Sequence, residues 1–388
     1  MLKRLPVRLP HIVPATFLLL AGCAAVPVPE TAPLAAADAS APVVVAPQQP
    51  NRFELAYPDQ SVVGEPQVVE VEGDNTLSDL ARAYGLGYDE IIAANPGVDP
   101  WLPGVGTRVL LPTQYVLPSV REGVVLNIAS KRLFYFPSAD SAEAAVVYTF
   151  PVGIGRVGWE TPVGTTVVTA KAKDPSWYVP WSVQQEHAEM GNPLPAVVPP
   201  GPDNPLGAYV LKLDMPGYLI HGTNQPYGVG MRVSHGCVRL YPENIEFLFP
   251  EVAIGTPVTI VNQPFMLGER EGELFFEAHA PLEDDAVAPA VRLSEAVDAF
   301  VDRYRVRLPD RAGNHIEAIT THGHGVPVRV YEYDAAEYLA RALPVINTVA
   351  TDPDAPTLEE VRDMIDEVMA AGEDETPEAP AGAPGSMQ

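Results

Sequence analysis

Cysteine is nearly absent. Only Cys23 and Cys237 occur in 388 residues, which excludes a framework of several disulfides and leaves the redox compartment unassigned by cysteine count. Positive charge is scarce as well: 24 Lys and Arg face 50 Asp and Glu, giving a net charge of −26. Such a chain repels a phosphate backbone, so composition argues against nucleic acid as a partner. Beyond the N-terminus there is no run of about 20 apolar residues, the length that spans a bilayer. What the chain does have is proline, 43 residues, roughly twice the usual share, which implies linkers, turns and strand edges. Hydrophobic residues make up 47%, which excludes wholesale disorder. At about one domain per 150 residues, the length allows two or three domains.

The N-terminus has the order of an export signal. Lys3, Arg4 and Arg8 precede an apolar run from Ala15 to Leu20, which closes on the small residues Ala21 and Gly22. Leu20-Ala21-Gly22-Cys23 resembles a bacterial lipobox, which implies cleavage after residue 22, lipidation of Cys23 and a membrane anchor. The competing reading is an ordinary signal peptide with a chance cysteine. Pro6, Pro10 and Pro14 count against a continuous helix here. Residues 23–64 begin Ala/Pro-rich and have little to pack, so they are expected to form an extended tether.

From Val68 to Pro112 the order reads strand, helix, helix, strand. Thr76 followed by Asp79 makes a capping-box signature, and Leu77, Leu80, Ala81 and Tyr84 recur at helical spacing. Gly85 and Gly87 stop that helix, Tyr88, Ile91 and Ile92 mark a second, and Arg108 to Leu111 closes as a strand. At Gly73-Asp74-Asn75-Thr76-Leu77 and Ile91-Ile92-Ala93-Ala94-Asn95-Pro96, residues 67–113 resemble a LysM module. That family packs two helices on a two-stranded sheet and binds N-acetylglucosamine-containing glycans such as peptidoglycan. Taken singly, Gly73-Asp74 and Asn95-Pro96 also simply end secondary elements.

Beyond Pro118 the texture is β-rich. A hairpin is expected from Val124–Ile128 and Arg132–Phe136, with further strands at Val146–Thr149, Thr165–Ala170, Tyr209–Leu213, Tyr218–His221 and Val258–Val261. One short helix is expected at Pro242–Phe249, with Pro242 in its first turn. Within this region lie Leu219-Ile220-His221-Gly222-Thr223 and Val233-Ser234-His235-Gly236-Cys237-Val238-Arg239. A protonated thiol is a weak nucleophile, and an imidazole that takes its proton stabilises the thiolate as an ion pair. Lowering the thiol pKa by about two units is worth roughly 2.7 kcal/mol. Backbone amides around His235-Gly236-Cys237 are candidates to face a developing oxyanion. Three readings compete at this level: a structural thiol, a zinc site using His221, His235 and Cys237 but lacking another Cys ligand, and a papain-like protease, whose local pattern is absent.

His221-Gly222-Thr223 followed by Ser234-His235-Gly236-Cys237-Val238-Arg239 resembles the L,D-transpeptidase catalytic (YkuD) family over residues 120–262. The order of LysM module and catalytic domain, together with Asn95-Pro96-Gly97-Val98-Asp99-Pro100-Trp101-Leu102-Pro103 and Arg121-Glu122-Gly123-Val124-Val125, is similar to the subgroup that attaches Braun's lipoprotein to peptidoglycan. The resemblance implies Cys237 as nucleophile and His221 as base, with the Gly222 carbonyl orienting the imidazole. It implies an oxyanion site in the Ser234-His235-Gly236-Cys237 turn and a role for Arg239 in organising the site or a substrate carboxylate. The implied reaction expels the terminal D-Ala of a tetrapeptide stem, leaves a thioester on Cys237 and transfers the acyl group to an amine. That amine belongs to diaminopimelate or to a lipoprotein lysine; water would make the enzyme an L,D-carboxypeptidase. Neither metal nor organic cofactor is needed, and carbapenems are the expected acylating inhibitors. A non-catalytic glycan-binding scaffold is the rival from another class, against which the intact His221/Cys237 pair argues. By the same resemblance the protein belongs in the bacterial periplasm or cell envelope, with Ala24 after the lipidation site favouring the outer membrane.

The expected fold class is therefore multidomain α+β: a small βααβ module, a β-rich catalytic domain and a small α+β extension at 263–372. Between Trp177 and Pro205 a proline-rich insertion with Trp177, Tyr178 and Trp181 reads either as a wall of the substrate cleft or as an aromatic-packed surface loop. In the extension, Ser294 is expected to cap a helix bearing Ala296, Val297, Phe300, Val301 and Tyr304, and Thr357 with Glu360 to cap another. His322-Gly323-His324 is read as an exposed turn in preference to a metal site, since no companion Cys or carboxylate pattern accompanies it. Residues 373–388, acidic and rich in Pro, Ala and Gly, are expected to be disordered.

Overall fold

The computed structural model describes residues 51–349 except 58–59, 139–144, 306–307, 309, 323 and 332–340. The export signal, Cys23, most of the tether, the Thr357 helix and the acidic tail lie outside the described residues. The chain joins the fold earlier than a tether ending at residue 64 would allow. Strand β1 (Arg52–Glu54) pairs antiparallel with Val146–Tyr148, and β2 (Val62–Gly64) pairs with Gln114–Val116. Phe53 sits edge-on to Tyr115 at 5.9 Å, so local apolar residues override the extended character of the segment before them.

The βααβ unit forms as its caps dictate. Strand β3 (Gln67–Glu70) leads to α1 (Leu77–Ala83), then α2 (Tyr88–Ala94) and β4 (Arg108–Leu111), which pairs antiparallel with β3. Thr76 Oγ1 accepts from the Asp79 amide at 3.2 Å and Asp79 Oδ2 accepts from the Thr76 amide at 2.9 Å, the reciprocal capping box. Gly87 precedes α2, and its amide donates to Glu90 Oε2 at 3.0 Å.

After β5 (Gln114–Val116), which pairs with β2 in a separate two-stranded sheet, the chain enters the large sheet. Its strands are β6 (Gly123–Asn127), β7 (Arg132–Phe136), β8 (Val146–Pro151), β10 (Gly164–Lys173), β13 (Tyr209–Leu213), β14 (Leu219–His221), β16 (Val238–Arg239) and β17 (Pro257–Val261). Short pieces lie between them: β9 (Ile154–Gly155), which pairs parallel with β15 (Arg232–Ser234), and β11 (Trp177–Tyr178), which pairs with β12 (Val197–Val198). The nine-stranded order is β1-β8-β7-β6-β17-β10-β13-β14-β16. Two helices belong here, α3 (Trp181–Glu189) and α4 (Pro242–Glu251).

Side chains alternate along β6 and β7, yet both strands are buried on both faces. Val124, Leu126, Leu133 and Tyr135 pack into the core beneath α4, whereas Val125, Phe134 and Phe136 join Leu77, Leu80, Leu86 and Ile91 of the βααβ unit. The unit is thus the second cover of the catalytic sheet. A buried Arg132–Glu90 pair at 2.6 Å joins the two.

After the large sheet, β18 (Phe265–Arg270) and β19 (Glu273–Ala278) form a hairpin with β20 (Val328–Arg329) beside it. Helices α5 (Pro289–Tyr304) and α6 (Asp310–His322) pack on it through Phe300, Ile316 and Ile319. The helix expected to start at Ser294 starts at Pro289 instead, because proline at the first position needs no amide partner. A last strand, β21 (Leu343–Pro344), returns to pair parallel with β3. Among the described residues no helix is long and apolar enough to cross a membrane.

Candidate active site

Strands β14 and β16 run parallel, with Ile220 beside Val238 and His221 beside Arg239. Cys237 immediately precedes β16. Its thiol donates to Gly217 O at 3.5 Å and lies against the Leu219 amide. The register sets His221 beside Arg239 at one end of this strand pair, while Cys237 enters at the other end, next to Leu219.

His221 is buried, 3% exposed, and its Nδ1 donates to Gly222 O at 2.6 Å. That bond places the proton on Nδ1 and leaves Nε2 as the basic nitrogen, while the Leu206 backbone also hydrogen-bonds the ring. Burial, and then the charge of Arg239, push the imidazole pKa down to about 3. Burial likewise raises the Cys237 thiol, opposed by the Leu219 amide and by Arg239. Taken singly, each shift favours the uncharged form of its group. No carboxylate stands beside His221 among the groups acting on it, and Arg239 penalises a second positive charge. Arg239 itself is held below its usual value by burial, and its Nε is buried without a hydrogen-bond partner.

The turn before the cysteine is built by side-chain hydroxyls. Ser234 Oγ donates to Cys237 O at 2.5 Å and accepts from the Gly236 amide at 3.2 Å. Gly236 needs its left-handed φ of +98°, where a Cβ would also meet the Tyr218 ring at 2.9 Å. Thr161, which sequence reasoning passed over, donates from Oγ1 to Gly236 O at 2.8 Å and accepts from the Gly155 amide at 3.0 Å. Nothing local in the sequence marks Thr161; only the approach of the 155–161 turn gives it a partner.

The His235 side chain points to other partners than His221. Its Nε2 donates to Glu186 Oε2 at 2.7 Å, the same carboxylate pairs with Arg156, and Trp159 stands edge-on to the ring at 4.9 Å. Glu186 lies on α3, so the insertion read as either wall or loop forms a helix anchored to the cysteine turn. Asn204 ties its far end, donating to Pro175 O at 2.8 Å and Pro199 O at 3.1 Å. Among the described residues no group of three or more His, Cys, Asp or Glu gathers as metal ligands.

Comparison with known proteins agrees with this architecture. The YkuD family, the L,D-transpeptidase catalytic domain, matches residues 121–260. The Escherichia coli K12 protein named "Probable L,D-transpeptidase YbiS" is 42% identical over 235 residues, 59% of this chain and 75% of that one. "Probable L,D-transpeptidase YcfS" of the same organism is 38% identical over 275 residues, covering 68% and 85%. "Probable L,D-transpeptidase ErfK/SrfK", also from that strain, is 37% identical over 290 residues, covering 72% and 90%. The chain belongs to the L,D-transpeptidase family. It is an acyl-transferring enzyme of that kind, with a β-rich catalytic fold carrying a few helices.

Proposed function

We propose that Cys237 is the nucleophile and His221 the general base of a peptidoglycan L,D-transpeptidase. The observation that carries this reading is the β14–β16 register, which sets His221 beside Arg239, two residues after Cys237. In the first half-reaction Sγ attacks the carbonyl of the third residue of a tetrapeptide stem. His221 Nε2 takes the thiol proton as the C–S bond forms, since burial favours the uncharged form of each group. The Gly222 carbonyl holds the ring in the tautomer this needs. The imidazolium then gives its proton to the departing D-Ala amine, leaving the thioester. In the second half an acceptor amine loses a proton to His221 as it attacks the thioester, and Sγ leaves as the thiolate and takes that proton back from the imidazolium.

The oxyanion turns toward the Ser234-His235-Gly236-Cys237 segment. The Gly236 amide is committed to Ser234 Oγ, so the Cys237 amide is the donor proposed for the developing charge. The unpartnered Nε of Arg239 is suited to a stem carboxylate, because a guanidinium recognises that group by paired N–H bonds. Helix α3 walls the cleft.

Residues 67–113 are proposed to be a LysM module for the glycan strand, supported by their β3-α1-α2-β4 order and capping box. The proposed mature protein is lipid-anchored through Cys23 in the envelope, as its N-terminal sequence suggests. Peptidoglycan stems supply the acyl donor, and either a diaminopimelate amine or a lipoprotein lysine the acceptor.

Intact mass after exposure to a carbapenem tests the catalytic assignment. One adduct on the wild type and none on Cys237→Ala supports it; no adduct on the wild type, or an equal adduct on both, sinks it. Muropeptide analysis of purified sacculi after reaction then separates cross-linking from trimming, with a candidate lipoprotein added to detect anchoring.

A further inference from the structure

The turn between α1 and α2, residues Tyr84 to Gly87, is wedged against both flanks of the segment that carries Cys237. On the upstream flank, the Tyr88 amide donates to Val229 O at 3.1 Å. There the two chains approach glycine to glycine. A Cβ on Gly87 would lie 2.7 Å from Gly230 Cα, and a Cβ on Gly230 would lie 2.3 Å from the Tyr88 nitrogen and 2.4 Å from Gly87 Cα. On the downstream flank, Tyr241 donates from its hydroxyl to Leu86 O at 3.1 Å. Val229 and Tyr241 are both buried.

The turn itself has little freedom. Arg132 of the catalytic sheet donates to Gly85 O at 3.0 Å and to Glu90 Oε2 at 2.6 Å, and Glu90 Oε2 also accepts from the Gly87 amide at 3.0 Å. Arg82 and Glu243 tie α1 to α4 with two bonds of 2.9 Å. The backbone from 228 to 231 is in turn braced against β9 and the strand carrying Arg239: the Ile154 amide donates to Met231 O at 3.0 Å, and Gly153 exchanges two bonds with Arg239. A shift at Gly230 is therefore passed to the cysteine strand through neighbouring hydrogen bonds.

We infer that the α1–α2 turn sets the path of the loop leading to Cys237, and that Gly87 and Gly230 are positioning residues for acyl transfer. The βααβ unit then contributes to the chemical step through backbone contact, independently of any glycan it holds. Both glycines are required by the close approach; Gly230 is additionally at φ +90°, whereas Gly87 is not in the left-handed region. Alanine at Gly87 is thus compatible with its own backbone dihedrals; its main effect is to displace the facing loop, beside a small loss at the N-cap of α2 that the melting measurement registers.

This inference rests on Cys237 being the nucleophile, and the test separates the two. Full-length wild type, Gly87→Ala and Gly313→Ala are compared for the rate of carbapenem acylation, for kcat and KM on a tetrapeptide stem, and for thermal melting. Gly313 lies on α6 with open space where a Cβ would go. A misplacement on the order of 1 Å can cost up to about 100-fold. The expected result is a fall of about tenfold or more in kcat and acylation rate for Gly87→Ala, with KM within about twofold of wild type, and no change for Gly313→Ala. Hydrogen exchange should rise in the peptide spanning 226–238. No adduct on wild type defeats the nucleophile assignment. An adduct on wild type with an equal rate for folded Gly87→Ala overturns the positioning role alone. Should Gly87→Ala fail to fold, Tyr241→Phe removes only the bond to Leu86 O. A threefold or larger loss of rate in folded Tyr241→Phe supports the inference, and an unchanged rate overturns it.

Discussion

Thr161 Oγ1 donates to Gly236 O at 2.8 Å across 75 residues of chain. The same oxygen accepts from the Gly155 amide, so one buried hydroxyl joins two turns and holds the peptide just before Cys237. Thr161→Val keeps the shape and removes both bonds. It should cost about 1–3 kcal/mol, since a buried amide and a carbonyl lose their partner. Acylation of Cys237 should slow about tenfold or more as the turn relaxes. Urea unfolding and carbapenem acylation kinetics check the two effects separately. Wild-type rates in the folded variant would remove Thr161 from the site.

The pair of Arg132 and Glu90 is buried, with Arg132 also 4.1 Å from the Tyr115 ring centre and hydrogen-bonded to Thr149 Oγ1. Glu90→Gln leaves the guanidinium in place without its counter-charge, which typically costs about 3–5 kcal/mol. Chemical denaturation should register a lower midpoint with an unchanged slope. Replacing both members by apolar residues of similar volume should be far less damaging than the single change.

Acid stability follows from His221. Its folded pKa lies near 3 against an ordinary value of 6.5, so between those limits the unfolded chain binds more protons than the folded one. Its contribution is fully retained above pH 6.5 and lost as pH falls toward 3. His235, also held below its usual value by burial, acts in the same direction. The melting temperature should therefore drop on acidification from pH 6.5 to 5, before most carboxylates titrate. His221→Gln should flatten that slope; an identical slope in the variant would contradict the buried neutral imidazole. For catalysis, the neutral base predicts no loss of acylation from imidazole protonation above pH 5.

Glu186 links α3 to His235 and Arg156. Hydrogen bonds from both partners hold its carboxyl below the usual range, so it is charged at neutral pH. Glu186→Gln removes the charge at nearly constant shape. KM for a tetrapeptide stem should rise about threefold with kcat within about twofold, the pattern of a loosened cleft wall. A fall in kcat at constant KM would instead assign Glu186 to the turn's alignment.

Much of the local structure was written in the sequence. The Thr76/Asp79 box, the strands at Arg132–Phe136 and Tyr209–Leu213, the Pro242 helix start and the His221 and Cys237 segments all rest on neighbours within a few residues or on short patterns. Such signals survive in a linear reading because a cap satisfies its own turn and a strand repeats every two residues. Tertiary structure alone decided that Thr161 supports Gly236, that His235 turns to Glu186, that Arg52–Glu54 and Val62–Gly64 belong to the fold and that β21 returns to β3. It also decided that burial favours the uncharged forms of His221 and Cys237 and that the βααβ unit covers the catalytic sheet. These features depend on burial and on contacts between segments tens to hundreds of residues apart. A buried charge, an aligned carbonyl or a glycine facing a glycine leaves no periodicity along the chain from which it might be read.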